Sequence, residues 1–231
     1  ISTHKKWHKL SVNTKIVLLS TLIINFCAFV LIWMLEARNP ATLGQLSVAD
    51  QAITAWFQAV TPRTAGFNTL AIEELTDATT VLMILLMYIG GGSLSTASGI
   101  KIGTFVILIM ATYAFLRRRD DVVILKRTIP QPQVMKALAL TIVSIIMIFI
   151  GIFVLSITEK APLTDIVFEV VSALSTVGLS RGLTGQLSMG GEIVIIFLMV
   201  AGRVGPLTFA YFLATPKKKY IKYANAEIQV G

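Results

Sequence analysis

The chain has 231 residues, 55% of them hydrophobic and only 14% charged, with a mean hydropathy of +0.79. A soluble core of this length does not need so much apolar sequence, which excludes an ordinary water-soluble domain. The net charge of +8 falls in patches between apolar stretches, which argues against a nucleic-acid partner, and Cys27 with His4 and His8 supplies neither a disulfide framework nor a metal cluster.

A bilayer-crossing helix takes roughly 20 mainly apolar residues. Residues 1–14 are a basic segment, and residues 16–35 read as the first span. Pro40 and Gly44 close its exit. Ser47 to Asp50 then offer caps for a short helix over 51–60. Pro62 disfavours helical geometry at Thr61, so the chain is expected to unwind just before Thr64-Ala65-Gly66-Phe67-Asn68. A polar stretch, 68–77, leads to a second apolar segment at 79–116, which residues 90–103 interrupt with glycine, serine and threonine.

Arg117, Arg118, Arg119, Lys126, Arg127 and Lys136 fill the link to a third span at 137–157. Thr164 and Asp165 are expected to cap a second short helix over 166–174, ahead of Thr176-Val177-Gly178-Leu179-Ser180. Residues 180–192 return to a fourth span at 193–213, which carries one charge, Arg203. A basic tail, 217–231, follows.

The second half repeats the first. Gly178 lies 112 residues after Gly66, and the same offset carries Met87 onto Met199 and Gly90 onto Gly202. The expected organisation is a first span–loop–span unit over 15–127 and a second over 128–216. Short helices of about ten residues suit re-entrant segments, and unwound backbone at membrane depth is tolerated only where protein buries it or a watery cavity meets it. Fourteen of the twenty basic residues fall on one side if the four spans alternate, which places both ends and the central link in the cytoplasm. Nine acidic residues, among them Glu36, Asp165 and Glu169, fall on the other.

A cation filter strips water from the ion and substitutes oxygens, mostly main-chain carbonyls. Glycine lets a carbonyl turn inward without a Cβ clash. Thr64, Ala65, Gly66 and Phe67, with Thr176, Val177, Gly178 and Leu179, are therefore the candidate ligands, with the Phe67 and Leu179 side chains packing behind them. The run Gly90, Gly91, Gly92, Ser93, Ser95, Thr96, Ser98 and Gly99 is too polar for lipid. Its three consecutive glycines cost a helix roughly 1 kcal/mol each. It reads as a loop below the filter, a candidate gate. Arg203, at the position equivalent to Gly91, needs acceptors in a membrane, and the loop carbonyls are the nearest candidates.

TAGFN and TVGLS resemble the TVGYG potassium filter in the form found in the Trk/Ktr/HKT superfamily of potassium transporters. The runs 90–101 and 202–206 are similar to the third and fourth repeats of that family, and the short basic ends are nearest a bacterial Ktr-type membrane subunit. The resemblance implies an all-α membrane protein of span, pore helix, filter loop and span, twice over, forming half of a pseudo-fourfold pore. It implies potassium as transported ligand, sodium as a candidate activator, and a gating role for the third-repeat loop. It also implies that Arg203 lies beneath the filter, that a further half completes the pore (an N-terminal half of the same polypeptide in preference to a second chain), and that a homodimer sits on a cytosolic nucleotide-binding regulatory ring. The expected location is the plasma membrane, in contact with lipid.

Two other readings stay open from the residues: a secondary cation carrier with a midplane site, and a non-transporting assembly subunit whose glycines serve helix packing. Gly178-Leu179-Ser180-Arg181-Gly182 fits a nucleophile elbow, but both histidines lie upstream in the basic segment, so no enzyme is expected.

Overall fold

The structure is a computed structural model that describes residues 10–92, 98–119, 121–205 and 208. Helix α1 spans Val12–Glu36 and begins at Ser11, whose Oγ accepts from the Thr14 N–H at 3.1 Å. Its 25 residues extend roughly 37 Å, enough to cross a bilayer core of about 30 Å. Leu22, Ile23, Phe26 and Met34 point outward, more than half exposed, as side chains facing hydrocarbon do. Helix α2, Val48–Val60, starts on Ser47 and leans on α1, where the Trp33 indole donates to Gln51 Oε1 at 3.1 Å.

Thr76 caps α3, Asp77–Tyr88. The chain then leaves the helix and re-enters it as α4, Ile102–Leu116. Helix α5, Gln131–Thr158, is the second continuous helix long and apolar enough to cross a membrane. Helices α6, Leu163–Leu174, and α7, Met189–Val204, complete the described chain. Residues 206, 207 and 209–231, including the end of the fourth expected span and the basic tail, lie outside the described residues, as do residues 1–9 of the N-terminal segment.

The 112-residue offset governs the three-dimensional structure too. Short 3-10 turns at Ile72–Glu74 and Thr184–Gln186 occupy matching positions, and so do the N-caps Thr76 and Ser188. Each unit also clips the end of its first helix to the start of the helix that follows its Thr-x-Gly loop, α1 to α3 and α5 to α7. Glu36 accepts from the Thr76 N–H (3.0 Å) and hydroxyl (2.7 Å), and Glu159 accepts from the Ser188 N–H (3.0 Å) and hydroxyl (2.6 Å).

Two local expectations are corrected. Thr61 keeps right-handed helical geometry (φ −58°, ψ −32°), because the bias imposed by Pro62 is weaker than the bond from its N–H to the Phe57 carbonyl. Thr164 and Asp165 do not cap α6. Pro162 holds the N-cap position, and Asp165 turns instead to Arg181. The helical fold also carries one addition, an antiparallel hairpin of β1, Val122–Ile124, and β2, Arg127–Ile129, inside the basic link.

One core straddles the units. Ile32, Leu43, Ile72, Met83 and Met87 from the first unit pack with Phe168, Val171, Val177 and Leu179 from the second. The units are thus not two independent bodies. The second unit's Thr-x-Gly loop is seated in the apolar interior of the first.

Candidate functional site

Both short helices end on the Thr-x-Gly loops, so each directs its C-terminal carbonyls toward them. A helix C-terminus carries the equivalent of roughly half a negative charge, which suits a cation. In the first loop Thr64 has φ +70° and Gly66 φ +72°; in the second Thr176 has φ +53° and Gly178 φ +91°. Positive φ is costly for a β-branched residue, on the order of 1–3 kcal/mol. The same strained position therefore recurs at the same place in both units, held by the surrounding fold.

The two loops converge. A Cβ built on Gly66 would stand 2.2 Å from the Val177 carbonyl oxygen, which no side chain tolerates. Gly66 is required there twice over, by its dihedral and by the backbone of the other loop. On Gly178 a Cβ would meet nothing within 4 Å among the described residues. Thr176, Val177, Gly178 and Leu179 instead line a cavity of about 240 Å³ together with Glu169 and Met199. The Thr176 hydroxyl is buried and has no hydrogen-bond partner among the described residues.

Supports behind the loops differ. Glu169 of α6 accepts from the Ser180 hydroxyl at 2.7 Å and from the Thr184 hydroxyl. Arg181 reaches from the second loop into the first unit. Its Nε donates to Asp165 Oδ1 at 2.7 Å, one Nη to the Ile72 carbonyl at 3.0 Å and Thr80 Oγ1 at 2.8 Å, and the other to the Glu73 carbonyl at 3.1 Å. Leu179 is buried in the shared core, whereas Phe67 is 72% exposed and does not pack behind its loop. The Phe67 carbonyl accepts from the Thr61 hydroxyl. Arg63, immediately before Thr64, has Nε and one Nη buried with no acceptor among the described residues.

The predicted gate residues divide. Ser93, Ser95 and Thr96 lie outside the described residues. Gly90, Gly91 and Gly92 form one stem of the loop, and Ser98 and Gly99 the other. The stems run side by side: the Gly90 N–H donates to the Ile100 carbonyl (2.8 Å), the Ile100 N–H to the Tyr88 carbonyl (3.0 Å) and the Ile102 N–H to the Gly91 carbonyl (3.2 Å). A Cβ on Gly99 would come within 3.2 Å of Ser175 Oγ, so this neck sits against the residue that precedes Thr176. Arg203 lies exposed on the last turn of α7, and neighbouring Gly202 presses its Cα side against the Leu174 carbonyl, where a Cβ would stand at 1.9 Å.

Sequence reasoning missed the carboxylate clips and the Arg181 clamp. The clip was hidden because Glu36 and Glu159 are 123 residues apart while their partners Thr76 and Ser188 are 112 apart. The connection after α1 is longer than the one after α5, so alignment by offset loses the pair. For Arg181 a signal existed, an arginine beside the loop and an aspartate sixteen residues before it.

Apolar spanning helices, a broken second helix and two unwound loops that meet backbone to backbone define a helical membrane protein built from two like units. Residues 10–223 match the family described as TrkH, cation transport protein, and the chain belongs to that family. It is similar to Ktr system potassium uptake protein B of Bacillus subtilis, 44% identical over all of this chain and 52% of that protein. A second protein of that name, from Vibrio alginolyticus, is 44% identical over 98% of this chain and 50% of the relative. The fold matches the crystal structure of the potassium transporter TrkH from Vibrio parahaemolyticus with a TM-score of 0.73 at 21% identity, covering 85% of this chain and 43% of that one. The chain spans about half the length of the curated relatives it matches.

Proposed function

We propose that this chain supplies two of the four quadrants of a potassium pathway in the plasma membrane, with the ion held by main-chain oxygens of Thr64 to Phe67 and Thr176 to Leu179. The observation that carries this reading is the contact of Gly66 with the Val177 carbonyl, which brings two loops of one conformation to one place. Positive φ at every second residue, 64 and 66 in one loop and 176 and 178 in the other, turns successive carbonyls to the same side, as ligation of a dehydrated ion requires. The names of the relatives supply the ion: both are potassium uptake proteins.

In this reading Gly178, open on its far side, faces a loop from the N-terminal half of the same polypeptide, and both ends and the basic link are cytoplasmic. The neck between Tyr88 and Ile102, with Arg203 near it, closes the path below the filter. Sodium as activator, a homodimer and a cytosolic nucleotide-binding ring belong to the same proposal, drawn from family resemblance. The test uses the full-length transporter in vesicles. Deleting residues 93–98 is expected to raise rubidium flux severalfold while the protein stays monodisperse. Unchanged or lost flux in the folded deletion contradicts the gate, and a wild type that passes no rubidium contradicts the pathway itself.

A further inference from the structure

Between α3, α4 and α5 lies a groove of about 460 Å³ whose lining includes none of the Thr-x-Gly loop residues. Its floor is formed by Ile89 and Ile100, the two residues whose backbones bridge the neck of the loop, both almost fully buried. Its rim is α4, from Phe105 to Leu116. Of the four polar side chains in its wall, three are already engaged, and the fourth, Tyr113, lies under Arg117 at one end. Tyr88 Oη bonds Ser144 Oγ at 2.9 Å, Thr112 Oγ1 donates to the Leu108 carbonyl at 2.9 Å, and Thr141 Oγ1 donates to the Ala137 carbonyl at 3.0 Å. Apart from the Tyr113 hydroxyl, a polar ligand would find few groups there to bond. Hydrocarbon fits.

The end of the groove is the opposite. Leu116 is followed by Arg117, Arg118 and Arg119, all exposed. Among the described residues none of the three pairs with a carboxylate, although Asp121 is close in sequence. The Arg117 guanidinium lies 5.3 Å over the Tyr113 ring, and Tyr113 is part of the groove wall. Cations therefore sit directly on an apolar slot. From Leu116 back to Phe105 the slot runs roughly 16 Å along the helix, about half of a bilayer core of roughly 30 Å and so the depth of one leaflet.

We infer that this groove seats one acyl chain of an anionic membrane phospholipid, with its phosphate on Arg117 to Arg119, and that the seated chain holds the Ile89–Ile100 neck in its bridged form. Basic pockets between membrane helices on the cytoplasmic side are the usual place for anionic headgroups. The length of the slot favours a lipid over a soluble anion, which would need the arginines alone. This inference rests on the membrane pathway proposed above. It adds a regulator at the neck of the loop.

The test takes the full-length transporter into vesicles of phosphatidylcholine alone, or with phosphatidylglycerol, and reads two quantities. Native mass spectrometry reads lipid retained per chain, and rubidium uptake reads flux. Three proteins are compared: wild type, the triple variant R117Q/R118Q/R119Q, and Ile109→Trp, which fills the groove and leaves the arginines intact. Wild type is expected to retain phosphatidylglycerol and to pass less rubidium as its fraction rises. Both variants should retain at least roughly tenfold less, and neither flux should follow the lipid.

Equal retention by all three overturns the proposal. So does a flux of Ile109→Trp that still follows phosphatidylglycerol, since the arginines would then act on the bulk surface or on a soluble partner. An effect of inorganic phosphate on wild type in pure phosphatidylcholine would also contradict it. Retention is read without transport, so failure of the pathway and failure of the lipid site are separable.

Discussion

The two Thr-x-Gly loops share a backbone and almost nothing else. The second is embedded: Val177 and Leu179 are in the core, Glu169 holds Ser180 and Thr184, and Arg181 ties the loop to the first unit. The first is held lightly, with Phe67 exposed, one hydroxyl on the Phe67 carbonyl and Arg63 partly buried without an acceptor among the described residues. The difference teaches that the conformation, not the side chains that brace it, is the repeated feature. A chain under one functional demand can meet it with two sets of supports.

Ring closure is the sharpest way to break this comparison, and it carries the largest effect. Gly66→Ala forces a Cβ onto the Val177 oxygen and into a left-handed dihedral. Strain of about 1–3 kcal/mol at the proposed filter should lower the ratio of potassium to sodium uptake by roughly tenfold or more. Gly178→Ala, with φ +91° but no neighbour among the described residues, should be equally severe in the full-length transporter, because the proposed ring places another loop against it. A mild Gly178→Ala phenotype in flux assays would count against the ring.

Next in size is the clip of the first unit. Glu36 is fully buried and takes bonds from Asn39, Thr42 and Thr76. Glu36→Ala orphans several donors at once, which should cost about 3 kcal/mol or more and lower the thermal midpoint in detergent by several degrees. Arg181→Gln follows. Loss of a clamp with charge-assisted bonds should cost about 2 kcal/mol and should disturb ion selectivity together with stability. A variant that is destabilised but keeps full selectivity would reduce Arg181 to a structural tie.

The smallest effect is a pH dependence at the second clip. The Glu159 carboxyl is held below its ordinary range, first by the Ser188 hydroxyl and then by the Ser188 N–H. A lowered folded pKa means that the clip stabilises fully above the unfolded value of about 4.3 and fades as pH falls through the folded value below it. Thermal midpoints taken between pH 6 and pH 3 should therefore show a loss at the acid end that Glu159→Gln does not share.

Much of this was legible in the amino-acid sequence for a physical reason: membrane helices declare themselves by apolar length, and a break declares itself by glycine. The offset between Gly66 and Gly178 placed both loops, and the glycine run at 90–92 placed the interruption of the second span. Tertiary choices were not legible. Nothing local tells whether Asp165 will cap its helix or pair with Arg181, and Thr61 stays helical because a backbone bond outweighs the proline that follows it. The hairpin at 122–129 was hidden in a charged link, where the flanking charges mask the three-residue apolar run Val122, Val123, Ile124. The positive φ of Thr64 and Thr176 is a property of the assembled fold, since no threonine adopts it by preference.

The most direct measurement is a crystal structure of the full-length transporter grown in rubidium, read by its anomalous signal. The account predicts a peak on the axis where the Thr64 to Phe67 and Thr176 to Leu179 carbonyls meet. Density confined to the cytoplasmic or outer vestibule, with that axis closed by side chains, would contradict it.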